Sequence, residues 1–259
     1  MISVTTAQLS AWLAAFAWPL ARILALIASA PVLGNPSLPA SVKIGLGLLL
    51  TVLVAPLLPP QPGLDPASAA GLLILAQQVL IGLAMGLAMR VVFHAAEMAG
   101  ELIGLQMGLG FATLYDASLP GFIPVIGQYL GVVVSLAFLA IDGHLLLLSA
   151  LVESFQVLPL APLSTPSGLR ALVQWGGSIF SYSLALSLPL LAALLITNIA
   201  LAILTRAAPQ LNIFAIGFPL TILAGMVALA LGLPYFAPGL ERLFGDGLTA
   251  MLRVAAALR

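Results

Sequence analysis

Four ionisable residues stand close together in an otherwise apolar stretch: Arg90, His94, Glu97 and Glu101. At 100° per residue they fall within about 60° of one another on a helix. A guanidinium, an imidazole and two carboxylates at this spacing can pair with one another, face water, or pass protons. Gly82, Gly86, Gly104 and Gly108 continue the same face, so that all eight residues share an arc of about 120°. Glycines so placed let a neighbouring helix approach closely. A charge at bilayer depth costs about 2.5–3.5 kcal/mol on insertion scales, so the charged members need partners or water. Three readings stay open at this level. The stripe is a structural contact between helices or subunits, a wet stretch of a protein-conducting channel, or the proton relay of a secondary transporter.

Other chemistry finds no footing. His94 and His144 are the two histidines, and neither sits in an HExxH or comparable metal spacing. "GLGFA" is a glycine pair without a P-loop lysine, so nucleotide binding is not expected. No cluster of Lys and Arg offers a nucleic-acid footprint, and the 8 basic and 8 acidic residues cancel. Cysteine is absent, which removes disulfides and thiolate chemistry. The expectation is a protein that is not an enzyme and carries no cofactor or metal.

The elements that would position the stripe are helices. Of the 259 residues, 62% are hydrophobic and 6% charged, with a mean hydropathy of +1.22. A soluble domain carries about a quarter charged residues. This chain cannot cover a water-facing surface, so it belongs in lipid, among other apolar subunits, or both. Apolar runs predict helices near 7–30, 42–58, 68–107, 125–152, 171–205 and 213–233, with a shorter amphipathic helix near 239–258. Nothing basic precedes Arg22, which interrupts the first run, so that run reads as a retained helix rather than a signal peptide. "APLLPPQPGLDP" and "LPLAPLSTPSG" are proline-rich linkers. The Met and aromatic residues read as packing groups, and Asn198 calls for an interhelical hydrogen bond.

These runs fit a membrane bundle poorly. A span needs roughly 20 apolar residues for a core of about 30 Å. The run at 42–58 falls short of that, the one at 68–107 is far longer, and "IDGH" interrupts the one at 125–152. For six alternating spans, Lys43, Arg90 and Arg206 would face Arg170, Arg242, Arg253 and Arg259, which decides no orientation. "RAAPQLNIFAIGFP" (206–219) reads as the tip of an antiparallel hairpin, with Pro209 in a first helical turn and Pro219 kinking the next helix. Arg206, Pro209, Gln210 and Asn212 form that polar tip.

"AGELIGLQMGLGFATLYD" (99–116), "IDGHLLLLSALVESFQVLPL" (141–160) and "RAAPQLNIFAIGFPLTI" (206–222) together resemble the FliR family of bacterial flagellar export-gate proteins. "WPLARILALIASAPVLGN" and "LPASVKIGLGLLLTVLVAP" fit the same family, and the resemblance covers most of the chain. It implies an all-α fold of integral-membrane-like helical hairpins with long and kinked helices, built into a multi-subunit helical export gate. Residues 1–165 would be a FliP-like part; 166–259 would be a FliQ-like hairpin plus the C-terminal amphipathic helix.

The implied function is that of a subunit of the flagellar type III export gate. With FliP and FliQ it would form the channel through which unfolded flagellar proteins cross the inner membrane at the flagellar basal body. FlhB would associate with this assembly, and FlhA would lie nearby. The implied pore plug is the segment holding Gly108, Gly110, Phe111, Tyr115, Pro120, Gly121, Phe122 and Pro124. Its glycines relieve backbone restrictions, its phenylalanines supply bulk, and its prolines limit collapse. The hairpin tip would face the cytoplasmic entrance and FlhB. The interface stripe would comprise Gly82, Gly86, Arg90, His94, Glu97, Glu101 and Gly104. The alternatives are the export gate of a virulence injectisome and, in a different class, a proton-coupled secondary transporter.

Overall fold

A computed structural model describes residues 6–58, 68–111, 124–158, 167–208 and 213–258. Among them there is no strand; the chain is all-α. The helices are α1 (Thr6–Ser29), α2 (Ala40–Val54), α3 (Ala69–Gln106), α4 (Val125–Ala140), α5 (Gly143–Val157), α6 (Ser167–Ala207) and α7 (Ile213–Ala257). Short 3-10 turns, Ala55–Leu57 and Leu109–Phe111, follow α2 and α3.

The expected long run is a single helix: α3 has 38 residues, about 57 Å of helix at 1.5 Å per residue. The run expected over 125–152 is instead two helices. Asp142 takes the left-handed conformation (φ 55°) between them, and its carbonyl accepts from Leu145 N (2.8 Å) and Leu146 N (3.1 Å) to start α5. Gly143 follows because a Cβ there would collide with the Phe138 ring and sit 2.8 Å from its carbonyl oxygen.

The second correction concerns the C-terminus. The segments expected at 213–233 and 239–258 are one helix of 45 residues that contains Pro219, Pro234 and Pro238. Each proline removes one ladder hydrogen bond and crowds the preceding turn. In apolar surroundings the remaining backbone groups have no partner better than the helix itself, so the helix continues through them.

The chain forms two compact units. The first comprises residues 1–92, 138–177 and 244–259. In it α1 turns Trp18, Arg22, Leu26, Ser29 and Ala30 inward at one-turn spacing. Two glycines of α3 admit the α1 backbone: a Cβ at Gly82 would lie 2.8 Å from Ala25 Cβ, and one at Gly86 would lie 2.8 Å from Ser29 Cβ. Ser29 Oγ donates to Ala25 O at 2.8 Å, so its hydroxyl is satisfied in this dry contact. Lys43 Nζ donates to Gly34 O (3.1 Å) and ties α2 to the turn after α1. The indole of Trp175 donates to Ala88 O (2.7 Å), and the Phe138 and Phe244 rings meet at 5.4 Å.

The second unit comprises residues 93–137 and 178–243. Its tightest contact joins α3 to α4 through glycines. A Cβ at Gly100 would lie 2.6 Å from Ile126 O, and one at Gly127 would lie 2.9 Å from Glu97 O. Thr221 of α7 donates to Met107 O (3.1 Å) beyond the end of α3. Leu190 and Leu186 of α6 pack at Gly232 and Gly239 of α7.

Among the described residues four helical stretches are long and apolar enough to cross a membrane: Ala40–Leu57, Ala69–Gln106, Ser167–Ala207 and Ile216–Ala257. The pair α4 and α5 qualifies only jointly. The most apolar stretch of α3 is mostly buried, whereas those of α2, α6 and α7 are mostly not, so their aliphatic faces look outward. The close α1–α3 approach predicts a sharp positional contrast. Gly86→Leu overpacks that contact and lowers folded yield and melting temperature, a loss of about 1–3 kcal/mol or more. Gly245→Ala, where a Cβ meets nothing within 4 Å, leaves the melt unchanged or raises it slightly. Melting of the detergent-solubilised variants checks both.

Candidate functional site

The charged stripe is carried by α3, and its glycines and its ionisable groups have different surroundings. Gly82 and Gly86 are filled by α1 of the same chain. Gly104 is buried and a Cβ there would make ordinary contact, 3.5 Å, with Ile126 of α4. Within the chain the closer approach to α4 is at Gly100, on the same line of α3 as Gly82, where a Cβ would lie 2.6 Å from Ile126 O.

The ionisable members lie at the rim of these contacts. His94 Nδ1 and Glu97 Oε2 are 2.8 Å apart, one turn of helix, with side chains 56% and 40% exposed. Glu97 also lies over α4, where its carboxylate would crowd any Cβ at Gly131 (2.9 Å). Glu101 lies over Gly127 in the same way, its Cγ 3.0 Å from an added Cβ. Gly127 and Gly131 thus make room for two glutamate side chains that reach the edge of the α3–α4 seam. Arg90 is half-buried. The arrangement holds one short imidazole–carboxylate contact and two accessible carboxylates. It can bind a cationic group or face water. Among the described residues no group of three or more His, Asp or Glu side chains could hold a metal ion.

The expected plug falls largely outside the described residues: Tyr115, Pro120, Gly121 and Phe122 are not among them. Its described ends are clear. Gly108 takes a positive φ of 89°, Gly110 and Phe111 belong to the 3-10 turn Leu109–Phe111, and Pro124 O accepts from Gln128 N (2.8 Å) at the start of α4. Of the hairpin tip, Arg206 is exposed in the last turn of α6, and Pro209, Gln210 and Asn212 lie outside the described residues.

One residue with an unusual setting was read from sequence only as an interruption. Arg22 is fully buried. Its Nε donates to Gln78 Oε1 of α3 (2.7 Å), Nη1 to Ser154 Oγ of α5 (3.2 Å), and Nη2 to Leu158 O (3.0 Å). The guanidinium carbon lies 4.1 Å from the Phe155 ring centroid. One side chain therefore joins three helical segments that are far apart in sequence. The available signal was its isolation: a lone cation in an apolar run must find acceptors elsewhere, and Gln77 and Gln78 are the polar pair inside α3.

Removing this side chain leaves a cavity and strands the Gln78 and Leu158 acceptors. Arg22→Ala is expected to destabilise the chain by about 2–4 kcal/mol, read as a melting temperature lowered by several degrees. Ser154→Ala, which removes one of the three acceptors, should cost about 1 kcal/mol.

Comparison with known proteins places this architecture. The model of the family described as bacterial export proteins, family 1, matches residues 13–247. The flagellar biosynthetic protein FliR of Pectobacterium carotovorum subsp. carotovorum is 44% identical over 249 residues, covering 95% of this chain and 94% of that protein. The FliR protein of Escherichia coli (strain K12) is 44% identical over 248 residues, with the same coverage. That of Bacillus subtilis (strain 168) is 29% identical and covers 80% of this chain and 82% of its own. The family model and relatives of 44% identity both match across nearly the whole length of this all-α apolar chain: it belongs to the FliR family, bacterial export proteins of family 1.

Proposed function

We propose that this chain is a subunit of the flagellar protein export apparatus, and that with FliP and FliQ it forms the channel for unfolded flagellar proteins across the inner membrane. The observation that carries this reading is a mismatch of length. α6 has 41 residues and α7 has 45, about 62 and 68 Å of helix, against a hydrocarbon core of about 30 Å. Exposed large apolar side chains run from Val173 to Ile203 on α6, about 46 Å of helix, and from Ile216 to Tyr235 on α7, about 30 Å. A bilayer covers only part of the α6 surface, and apolar neighbours in an assembly cover the rest. Names of relatives with 44% identity favour the flagellar apparatus over an injectisome.

In this reading residues 1–165 act as a FliP-like part and 166–259 as a FliQ-like part. The His94–Glu97–Glu101 rim lies in a subunit contact. The segment Gly108–Pro124 plugs the resting pore, and the polar tip from Arg206 to Asn212 faces FlhB at the cytoplasmic entrance, with FlhA nearby. No covalent chemistry is assigned to the chain. Its location is the inner membrane at the flagellar basal body.

Three outcomes test this. Deleting the gene in its host is expected to abolish swimming and secretion of flagellar proteins, with a plasmid copy restoring both; secretion that persists contradicts the reading. Tagged chain purified in mild detergent is expected to bring FliP and FliQ with it, and recovery of the chain alone counts against the channel. Deleting Ala112–Gly121 in the assembled complex is expected to leave resting cells permeable to small ions; unchanged permeability removes that segment from the gate.

A further inference from the structure

The exposed side of α7 changes its chemistry at one place. From Ile216 to Pro238 every exposed residue is apolar except Tyr235, which is 83% exposed. From Glu241 onward the exposed residues include Glu241, Arg242, Asp246, Thr249 and Arg253. Large exposed apolar side chains thus end at Ile216 and Tyr235, about 30 Å of helix, which is the thickness of a hydrocarbon core. The hydroxyl inside this stretch, that of Thr221, is buried and donates to Met107 O (3.1 Å).

The same change occurs at the same height on α6. The two helices run antiparallel, with Leu186 against Gly239 and Leu190 against Gly232 (each 3.1 Å from an added Cβ), and Pro189 and Tyr235 line one groove between them. This register brings Ser181 near the height of Glu241 and Ile196 near that of Val227. From Leu184 to Leu204, again about 30 Å, the exposed residues of α6 are all Leu, Ile, Ala or Pro. Ser187 and Thr197 turn their hydroxyls to Leu184 O (3.3 Å) and Ala193 O (3.0 Å) of their own helix, and Asn198 is half-buried. Outside that stretch polar residues return to the surface: Gln174 and Ser181 on one side, Arg206 on the other. Phe180, 67% exposed, lies among the former.

Protein neighbours accept polar groups at any height. A bilayer does not, and it sets one spacing for every helix it covers. We propose that phospholipid acyl chains cover this hairpin between Leu184 and Leu204 on α6 and between Ile216 and Tyr235 on α7, and nowhere beyond. The rims fit phospholipid: Tyr235 takes the place of an interfacial aromatic, and the Arg206 guanidinium at the opposite rim reaches headgroup phosphates. Past Ser181 and Glu241 the helices stand clear of the hydrocarbon, so Phe180, set beside Ser181, is covered by protein. The assignment deepens the reading of a surface shared between lipid and apolar neighbours, and rests on it.

The test uses the cysteine-free full chain in its native assembly, reconstituted in vesicles of phosphatidylcholine and phosphatidylglycerol. Ile196→Cys, Val227→Cys, Tyr235→Cys, Phe180→Cys and Glu241→Cys each change an exposed residue and each carry a fluorophore. Nitroxides sit either deep in the acyl chains or close to the headgroup. The deep nitroxide is expected to quench the labels at 196 and 227 several-fold more than those at 180 and 241, and the shallow one is expected to quench position 235 most. Positions 196 and 227 shielded from both nitroxides would mean that protein covers the band, and would overturn the proposal. Quenching at 180 equal to that at 196 would carry lipid past Ser181 and overturns it equally. Recovery of the chain without partners would sink the assembly and not the band, because positions 196 and 227 are read equally well in the chain reconstituted alone.

Discussion

An apolar helix surface must be covered by something apolar, and a bilayer is only so thick. That constraint governs the rest of this molecule. With 6% charged residues, the chain has almost no surface suited to water. Yet its last two helices run about twice the length that a hydrocarbon core can cover. Among the described helices only α3 has most of its apolar stretch buried within the chain, while α2, α6 and α7 leave theirs turned outward.

Within the chain, specificity comes from a few contacts of two kinds. Glycines set the closest helix approaches, at Gly82 and Gly86 against α1 and at Gly100 and Gly127 between α3 and α4. Apolar surfaces alone are tolerant of sliding, since Leu packs on Leu in many registers. A Cβ-free position facing a carbonyl is not tolerant, because a one-residue shift brings a side chain into the backbone. Polar side chains fix the rest. Arg22 reaches Gln78, Ser154 and Leu158, and Thr221 reaches Met107 O. Each such bond would be expensive to leave open in an apolar interior, so each selects one register.

Much of this was legible in the sequence. The all-α class follows from apolar runs without turn chemistry, and α3 was evident as one element because nothing between 69 and 106 breaks a helix. The break at Asp142 was visible as a polar interruption, though its left-handed backbone was not. Pro234 and Pro238 misled, since proline ends helices in water but is tolerated where the helix has no competing partner for its backbone. At the candidate site, spacing located the face shared by Gly82, Arg90, His94 and Glu101. It did not reveal which glycines of that face meet which helix: Gly82 and Gly86 meet α1, and Gly100, on the same line of the helix as Gly82, meets α4. Which helix fills a groove is a tertiary fact, and spacing on one helix carries no information about it. Arg22 stood in plain view as a lone charge; its partners lie 56 to 136 residues away.

The central claim is that part of the apolar exterior is covered by protein. The chain has no cysteine, so single cysteines at Val173 and Ile203 carry a fluorophore without background. Both positions are exposed on α6, 30 residues apart, about 45 Å of helix. In the native assembly in a bilayer, a lipid-borne quencher is expected to reach at most one of them, and the other is expected to be shielded from both lipid and aqueous quenchers. Strong quenching of both from the lipid would mean that the bilayer alone covers the helix, and it would contradict the account.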